Sequence, residues 1–149
     1  MELAEIMTQS VVTAPPAAPA REVAALMRDR NVGSVVLADE SGRPVGIVTD
    51  RDLAVCVIAE GRGHHEAVQE FATTPVVTGD TGMDLEEAAA LMVEHRIRRL
   101  PVMDSDRLAG IVTLDDIAVR TGNLEIAQQM TAEVARAALP EFYFHQRGG

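Results

Sequence analysis

What the sequence lacks narrows its reading first. Its one cysteine, Cys56, cannot form an internal disulfide. It lies in the apolar run Leu53-Ala54-Val55-Cys56-Val57-Ile58-Ala59, where it reads as a small core residue suited to a reducing cytoplasm. Tryptophan is absent, and of one tyrosine and three phenylalanines all but Phe71 fall in Glu141-Phe142-Tyr143-Phe144-His145 near the C-terminus. Met1-Glu2-Leu3-Ala4-Glu5 has neither the basic flank nor the apolar run of a signal peptide, and no apolar stretch approaches the ~18 residues of a membrane span. A soluble, cytoplasmic protein with no membrane partner is expected. Positive charge is scarce: 13 Lys and Arg face 23 Asp and Glu, giving a net charge of -10. That balance repels a phosphate backbone, and no basic helix or zinc-finger spacing compensates, so nucleic acid is not an expected partner.

Catalytic signatures are missing as well. There is no Gly-x-Ser-x-Gly elbow, no Walker loop and no Cys paired with His at catalytic spacing, so a protein that is not an enzyme, with no catalytic residues, is expected. His64-His65-Glu66, with Cys56 farther off, hints at a metal. Adjacent histidines in a Gly-flanked linker rarely converge on one ion, however, and a water-exposed linker is the better account.

What is present is a duplication. Gly46-Ile47-Val48-Thr49-Asp50-Arg51-Asp52 returns as Gly110-Ile111-Val112-Thr113-Leu114-Asp115-Asp116. In each copy a Gly and two β-branched residues lead into Thr-x-x-Asp and an apolar stretch, the pattern of a strand ending where a helix begins. Upstream, Ile6 matches Phe71, Thr8 matches Thr73, Val11-Val12-Thr13 matches Val76-Val77-Thr78, and Leu26-Met27 matches Leu91-Met92, each pair 65 apart. Past the hairpin turn the offset is 64, so Asp104-Ser105-Asp106-Arg107 is one residue shorter than the first turn.

Within a copy the order reads strand, helix, strand, strand, helix. Leu3, Ile6 and Met7 fit the inner face of a short N-terminal helix, and Val11-Val12-Thr13 a brief strand. Pro19 opens a helix through Val23, Leu26 and Met27 to about Arg30. Val35-Val36-Leu37 and Val45-Gly46-Ile47-Val48 flank the turn-rich 39–44 as a hairpin. The apolar run after Asp52 is expected to be a buried helix stopped by Gly61 and Gly63. Asp84 is a candidate cap for the second copy's first helix, with Glu87 in its first turn. A single repeat is too small to bury its apolar faces well, and at 149 residues two packed repeats can bury roughly 70% of their unfolded surface. The boundaries are 1–63 and 64–122 for the repeats. In 123–149, Ile126, Met130 and Val134 fall at helical spacing, giving a C-terminal amphipathic helix followed by the aromatic tail, which either docks a partner or folds back on its own domain.

Residues 3 to 121 resemble a tandem pair of cystathionine-β-synthase (CBS) domains, a Bateman module, of the small stand-alone bacterial type. The two Gly-Ile-Val-Thr-x-x-Asp copies, the helices with Ala24-Ala25-Leu26-Met27 and Ala89-Ala90-Leu91-Met92, and Arg98-Arg99-Leu100-Pro101-Val102 carry the resemblance. It implies an α/β (α+β) fold of two repeats related by a pseudo-twofold axis, each a small three-stranded sheet packed with helices, plus the C-terminal helix. It further implies a regulatory, ligand-sensing module that binds an adenosine-containing molecule, such as AMP, ADP, ATP or S-adenosylmethionine, in clefts between the repeats. No cofactor is required. A homodimer and an unknown protein partner are expected, and the alternative is a dimeric scaffold with empty clefts.

Each candidate residue admits two readings. Thr-x-x-Asp is a capping box, in which the Thr oxygen accepts from an orphan helix N–H and the Asp favours the positive end of the helix dipole. The same corner suits a nucleotide, since unpaired N–H groups and the Thr hydroxyl attract phosphate and the Asp can accept from both ribose hydroxyls. Thr49 with Asp52 and Thr113 with Asp116 match the family's phosphate and ribose contacts position for position. Val12, Thr13, Val77 and Thr78 lie in the segments whose backbone edges recognise adenine in the family, or are simply core. Arg98 and Arg99, beside His95 and Arg96, are either a phosphate clamp or a solvated strand entrance. The first copy has Gly33-Ser34 there, so the two sites should differ. Arg51 can equally pair with a neighbouring carboxylate.

Overall fold

The computed structural model describes residues 1–121, and the expected C-terminal helix and aromatic tail lie outside the described residues. The described residues form two compact units, one of residues 10–76 with 106–108, the other of residues 1–9, 77–105 and 109–121. Their composition is offset from the sequence duplication. Residues 1–9 begin the first repeat yet belong to the unit holding most of the second, and residues 64–76 begin the second repeat yet belong to the unit holding most of the first.

In the unit of 10–76, β1 (Thr13–Ala14), β2 (Ser34–Ala38) and β3 (Pro44–Thr49) form a sheet in the order β1-β2-β3. β1 runs parallel to β2, and β2 antiparallel to β3. The central strand has Val35, Val36 and Leu37 all buried, as a strand covered on both faces must. Helix α1 (Ala20–Arg30) starts at Pro19, whose extended backbone is the N-cap, and stops at Asn31 in the left-handed conformation (φ 55°). It lays Val23 and Met27, one turn apart, against Val35, Leu37 and Val48 of the sheet. Leu53, Val68 and Phe71 complete this core. The hairpin turn is an Asx arrangement: Asp39 Oδ1 accepts from the Ser41 and Arg43 N–H groups at 2.9 and 3.0 Å, and Gly42 supplies φ +82°.

The other unit repeats the plan with β4 (Gly79–Asp80), α3 (Leu85–Glu94), β5 (Arg99–Asp104), β6 (Arg107–Thr113) and α4 (Leu114–Thr121). Its sheet order is β4-β5-β6. Leu3 and Ile6, flanking a 3₁₀ turn at Leu3–Glu5, are buried with Ala88, Met92, Leu100, Val102 and Val112. The α+β expectation of two three-stranded sheets packed with helices is met.

Each unit uses its borrowed segment to cover a sheet edge. Ile47 on β3 bonds reciprocally with Thr73, N–H to carbonyl at 3.3 and 2.9 Å, and Ile111 on β6 does so with Thr8 at 3.0 and 2.9 Å. An uncovered strand edge invites pairing with other chains, and both are closed here. The pairing also explains the leading Gly of the repeated motif. A Cβ on Gly46 would stand 3.3 Å from the Thr73 carbonyl oxygen, and one on Gly110 would stand 2.8 Å from that of Thr8.

Four local expectations are corrected. The strands expected at Val11–Thr13 and Val76–Thr78 begin later, because parallel pairing with β2 and β5 sets the ends of β1 and β4. Val12 and Val77 instead pack their side chains against the two cores. The helix after Asp52 is not buried: beyond α2 (Asp50–Leu53) the chain continues as a π-helical segment, Ala54–Ala59, with no buried residue, Val55 41% and Ile58 80% exposed. Of that run only Cys56 and Val57 pack against the core, so apolarity all round does not mean burial all round. Cys56 is accordingly half-buried at the edge of the core. Asp84 stands at the N-cap of α3 but makes no capping bond, its carboxylate lying 3.4 Å from the Met1 amino group.

Candidate functional site

The repeated motif places a strand end against a helix start in both units, and the corner is built by local bonds. Thr49 N–H donates to Asp52 Oδ2 at 2.8 Å while Asp52 N–H donates to Thr49 Oγ1 at 3.2 Å. Thr113 and Asp116 reproduce the pair at 2.9 and 3.0 Å. Both are complete capping boxes, and all four side chains are half-buried. The cap draws on one Asp oxygen and one lone pair of the Thr hydroxyl, which leaves Asp Oδ1 and the hydroxyl proton for a further partner.

A second brace fixes the corner from the neighbouring strand. Asp50 N–H donates to the Gly33 carbonyl at 3.0 Å, and Leu114 N–H to the Arg98 carbonyl at 3.2 Å. Sequence reasoning missed this brace, although Gly33 and Arg98 occupy matching positions 65 apart and so carry its signal. The expectation of unpaired N–H groups fails in the first copy. Asp50 N–H is taken by Gly33, Arg51 N–H by the Asp50 carboxylate at 2.8 Å, and Asp52 N–H by Thr49. In the second copy Leu114 replaces Asp50 and has no carboxylate to offer.

Sheet register brings the remaining candidates to the same end of each sheet. Ser34 pairs with Thr49, and β1 runs parallel to β2 with Val12 accepting from Val36 N–H at 3.1 Å, so Val12 and Thr13 lie two strands from Thr49, about 10 Å across. In the other unit Val77 and Thr78 precede β4, and Arg98 stands just before the middle strand β5, which Arg99 opens. Arg98 is exposed and Arg99 half-buried, and neither forms an ion pair among the described residues. The carboxylate pairing left open for Arg51 does not form among them either. His64 and His65 are exposed, their rings 3.9 Å apart, and the described residues contain no group of three or more His, Cys, Asp or Glu able to hold a metal ion. The linker is nonetheless tied down. The His64 and Glu66 carbonyls accept from the first N–H groups of α1, and Arg62 bonds the Glu66 carboxylate at 2.9 Å with its guanidinium 4.6 Å over the Phe71 ring. The hydrogen bond from Arg62 holds the Glu66 carboxyl below the usual glutamate range.

The family model for the CBS domain matches residues 3–58 and again 68–120. The chain belongs to the CBS family. A CBS domain-containing protein of Bacillus subtilis, YhcV, is 41% identical over 135 residues, covering 91% of this chain and 90% of that protein. Solved CBS pairs share the fold. One is the CBS domain protein PAE2072 from Pyrobaculum aerophilum, complexed with AMP (TM-score 0.76, 27% identity, 86% of this chain and 99% of that one). Another is the CBS pair of protein MJ0100, in complex with 5′-methylthioadenosine and S-adenosylmethionine (TM-score 0.72, 28% identity, 82% and 96%). Both of these solved CBS proteins hold adenosine-containing ligands. No helix among the described residues is long and apolar enough to cross a membrane.

Proposed function

We propose that this CBS pair is a non-enzymatic sensor that binds an adenosine-containing molecule at its Thr-x-x-Asp corners and passes occupancy to a protein partner. The observation that carries the reading is the state of the two capping boxes, in which Asp52 and Asp116 each keep one carboxylate oxygen uncommitted beside a Thr hydroxyl with its proton to give. Those are the groups a ribose and a phosphate need. The AMP and S-adenosylmethionine complexes of PAE2072 and MJ0100 support the ligand class. Copy two suits the phosphate-bearing ligands better, with Arg98 and Arg99 at the sheet end and Leu114 where copy one has Asp50.

The self-partner in this reading is a second copy. An apolar cleft of about 310 Å³ beside α1 is lined by Ala20, Ala24, Met27, Leu53 and Ala54, with the exposed Ile58 on its wall and Arg21 and Asp50 among its lining. Knob, hole and opposite charges on one surface are what an isologous twofold pairing requires. The rival reading, a scaffold with no nucleotide, draws on the fully engaged N–H groups of copy one. Thermal unfolding with AMP, ADP, ATP and S-adenosylmethionine separates the two. A ligand at a hundredfold excess over its Kd contributes ~2.7 kcal/mol, and at roughly 2–4 °C per kcal/mol the midpoint rises by several degrees. No rise with any of the four at millimolar concentration leaves the scaffold.

A further inference from the structure

The cores of the described residues use a single aromatic side chain, Phe71. The other three, Phe142, Tyr143 and Phe144, stand in a row near the C-terminus, beyond the described residues. Each such ring has about 150–250 Å² to bury, so the run calls for an apolar wall. One of matching size stands beside α1. The cleft of about 310 Å³ has Ala20, Ala24, Met27, Leu53 and Ala54 in its lining, and Ile58, 80% exposed, on its wall. An apolar cavity of about 150 Å³ takes one benzene ring. This cleft has room for two.

Charge and reach point the same way. Arg21 and Asp50 line the cleft, and neither forms an ion pair among the described residues. The tail carries the complement in a short span, Glu141 directly before its aromatic run and Arg147 three residues after it. Residues 122–141 separate the last described residue from Phe142. An arm of that length spans up to ~70 Å extended, whereas a compact chain of this size has a radius of gyration of about 15 Å. Such an arm reaches any face of its own domain. Being tethered, it also acts at an effective concentration on the order of millimolar, far above that of free copies in dilute solution.

We propose that the cleft beside α1 is the seat of the chain's own aromatic tail, with Phe142 and Phe144 as its occupants, and that the seated tail excludes a second copy. Pro140 disfavours a helix where the tail begins. Along an extended segment alternate side chains face one way, which turns Phe142 and Phe144 into the cleft and leaves Tyr143 at its mouth. Glu141 then answers Arg21, and Arg147 answers Asp50. The exclusion rests on the self-pairing read above, whereas the seat does not. Self-association is thereby gated from within the chain, because the pairing surface opens only when the tail leaves it.

Tyr143 is the chain's one tyrosine and tryptophan is absent, so tyrosine emission from the full chain reports the tail alone. Seated, Tyr143 turns with the whole domain and its emission anisotropy is high. Ala24→Glu sets a carboxylate at an exposed position of the cleft's helical wall, and Phe142→Ala/Phe144→Ala removes the two rings. Each should free Tyr143 to move within nanoseconds and lower the anisotropy roughly twofold. Where Ala24→Glu fails to fold, the double variant carries the test. Light scattering on the same samples reads the exclusion. The double variant, its cleft open, should pair on the order of tenfold more tightly than the parent, and Ala24→Glu, its cleft blocked, should not pair. An anisotropy that neither variant lowers overturns the seat. So does a fall in mass in Ala24→Glu with Tyr143 unmoved, which puts a second copy in the cleft instead. Release of Tyr143 with a loss of mass in both variants gives the cleft to the second copy's tail and overturns the exclusion. Release with no gain in mass in the double variant removes the exclusion and the pairing reading together, and leaves the seat standing.

Discussion

The covered edge of β6 can be tested at one atom. In Gly110→Ala the new Cβ meets Met7 Sδ at 2.7 Å, Met7 Cγ at 2.8 Å and the Thr8 carbonyl oxygen at 2.8 Å. The methionine can withdraw at little cost, because its chain is unbranched and flexible. The carbonyl cannot, since Thr8 and Ile111 hold each other by two backbone bonds of 2.9 and 3.0 Å. Forcing a methyl into such a place costs ~1–3 kcal/mol, and weakening the two bonds adds ~0.5–1.5 kcal/mol each. Against this, Ala narrows the unfolded ensemble and returns ~0.4–1 kcal/mol. A net loss of about 2–3 kcal/mol lowers the thermal midpoint by roughly 5–10 °C at ~2–4 °C per kcal/mol. The equivalent Gly46→Ala is the control. Its Cβ meets the Thr74 methyl at 3.1 Å and the Thr73 carbonyl oxygen at 3.3 Å, distances that a shift of a few tenths of an ångström relieves. The crowding and the unfolded-state gain then offset each other to within about 1 kcal/mol. Circular dichroism melts of both variants provide the comparison, with Met7→Ala/Gly110→Ala beside them. Removing the sulfur should recover less than half of the loss. Equal midpoints for Gly110→Ala and Gly46→Ala would refute the claim that a fixed carbonyl, rather than a movable side chain, makes glycine necessary at 110.

Further outcomes follow from the corner, the linker and the apolar face. Asp52→Asn and Asp116→Asn should cost only the dipole term of ~0.3–1 kcal/mol if each Asp merely caps. If each holds a ribose, affinity falls on the order of 10- to 100-fold by calorimetry, and Thr49→Val and Thr113→Val then weaken AMP more than adenosine. Glu66, held below its ordinary pKa first of all by the Arg62 hydrogen bond, adds stability above the unfolded glutamate value and loses it as pH falls through the lower folded one. The melting gap between parent and Glu66→Gln should therefore be present at pH 7 and close in acid. Ile58→Glu should leave the monomer's stability within about 0.5 kcal/mol, as exposed positions do. It should also lower the mass found by light scattering if Ile58 seats in a second copy, and an unchanged mass removes Ile58 from the interface.

Much of the fold is legible in the sequence because its signals are local. The capping boxes close over three residues and occur twice, so the spacing of Thr49 with Asp52 and of Thr113 with Asp116 is enough to announce their bonds. The hairpins are legible from Asp39, Gly42 and Ser105, whose turns need little help from the rest of the chain. What escapes is set at a distance. The ends of β1 depend on Val36 and Leu37, more than twenty residues on, and the bridge from Ile47 to Thr73 has no local trace beyond the glycine beside it. The run from Leu53 to Ala59 misleads for a different reason. Uniform apolarity reports what a segment tolerates, whereas burial reports which walls exist around it. The Asp50 carboxylate on Arg51 N–H is hidden too, because the repeated pattern draws attention to what the copies share and not to the one position where Asp50 and Leu114 differ.

The borrowed edge covers bear on how such a chain can have changed through time. Once residues 1–9 close the unit of the second repeat and residues 64–76 close that of the first, neither half can be discarded without opening a strand in the half that remains. A gene that duplicated into this arrangement has no easy road back. The two corners can drift apart in chemistry, as Asp50 and Leu114 already have, while the exchange of leading segments keeps both copies in the genome whether or not each still binds anything.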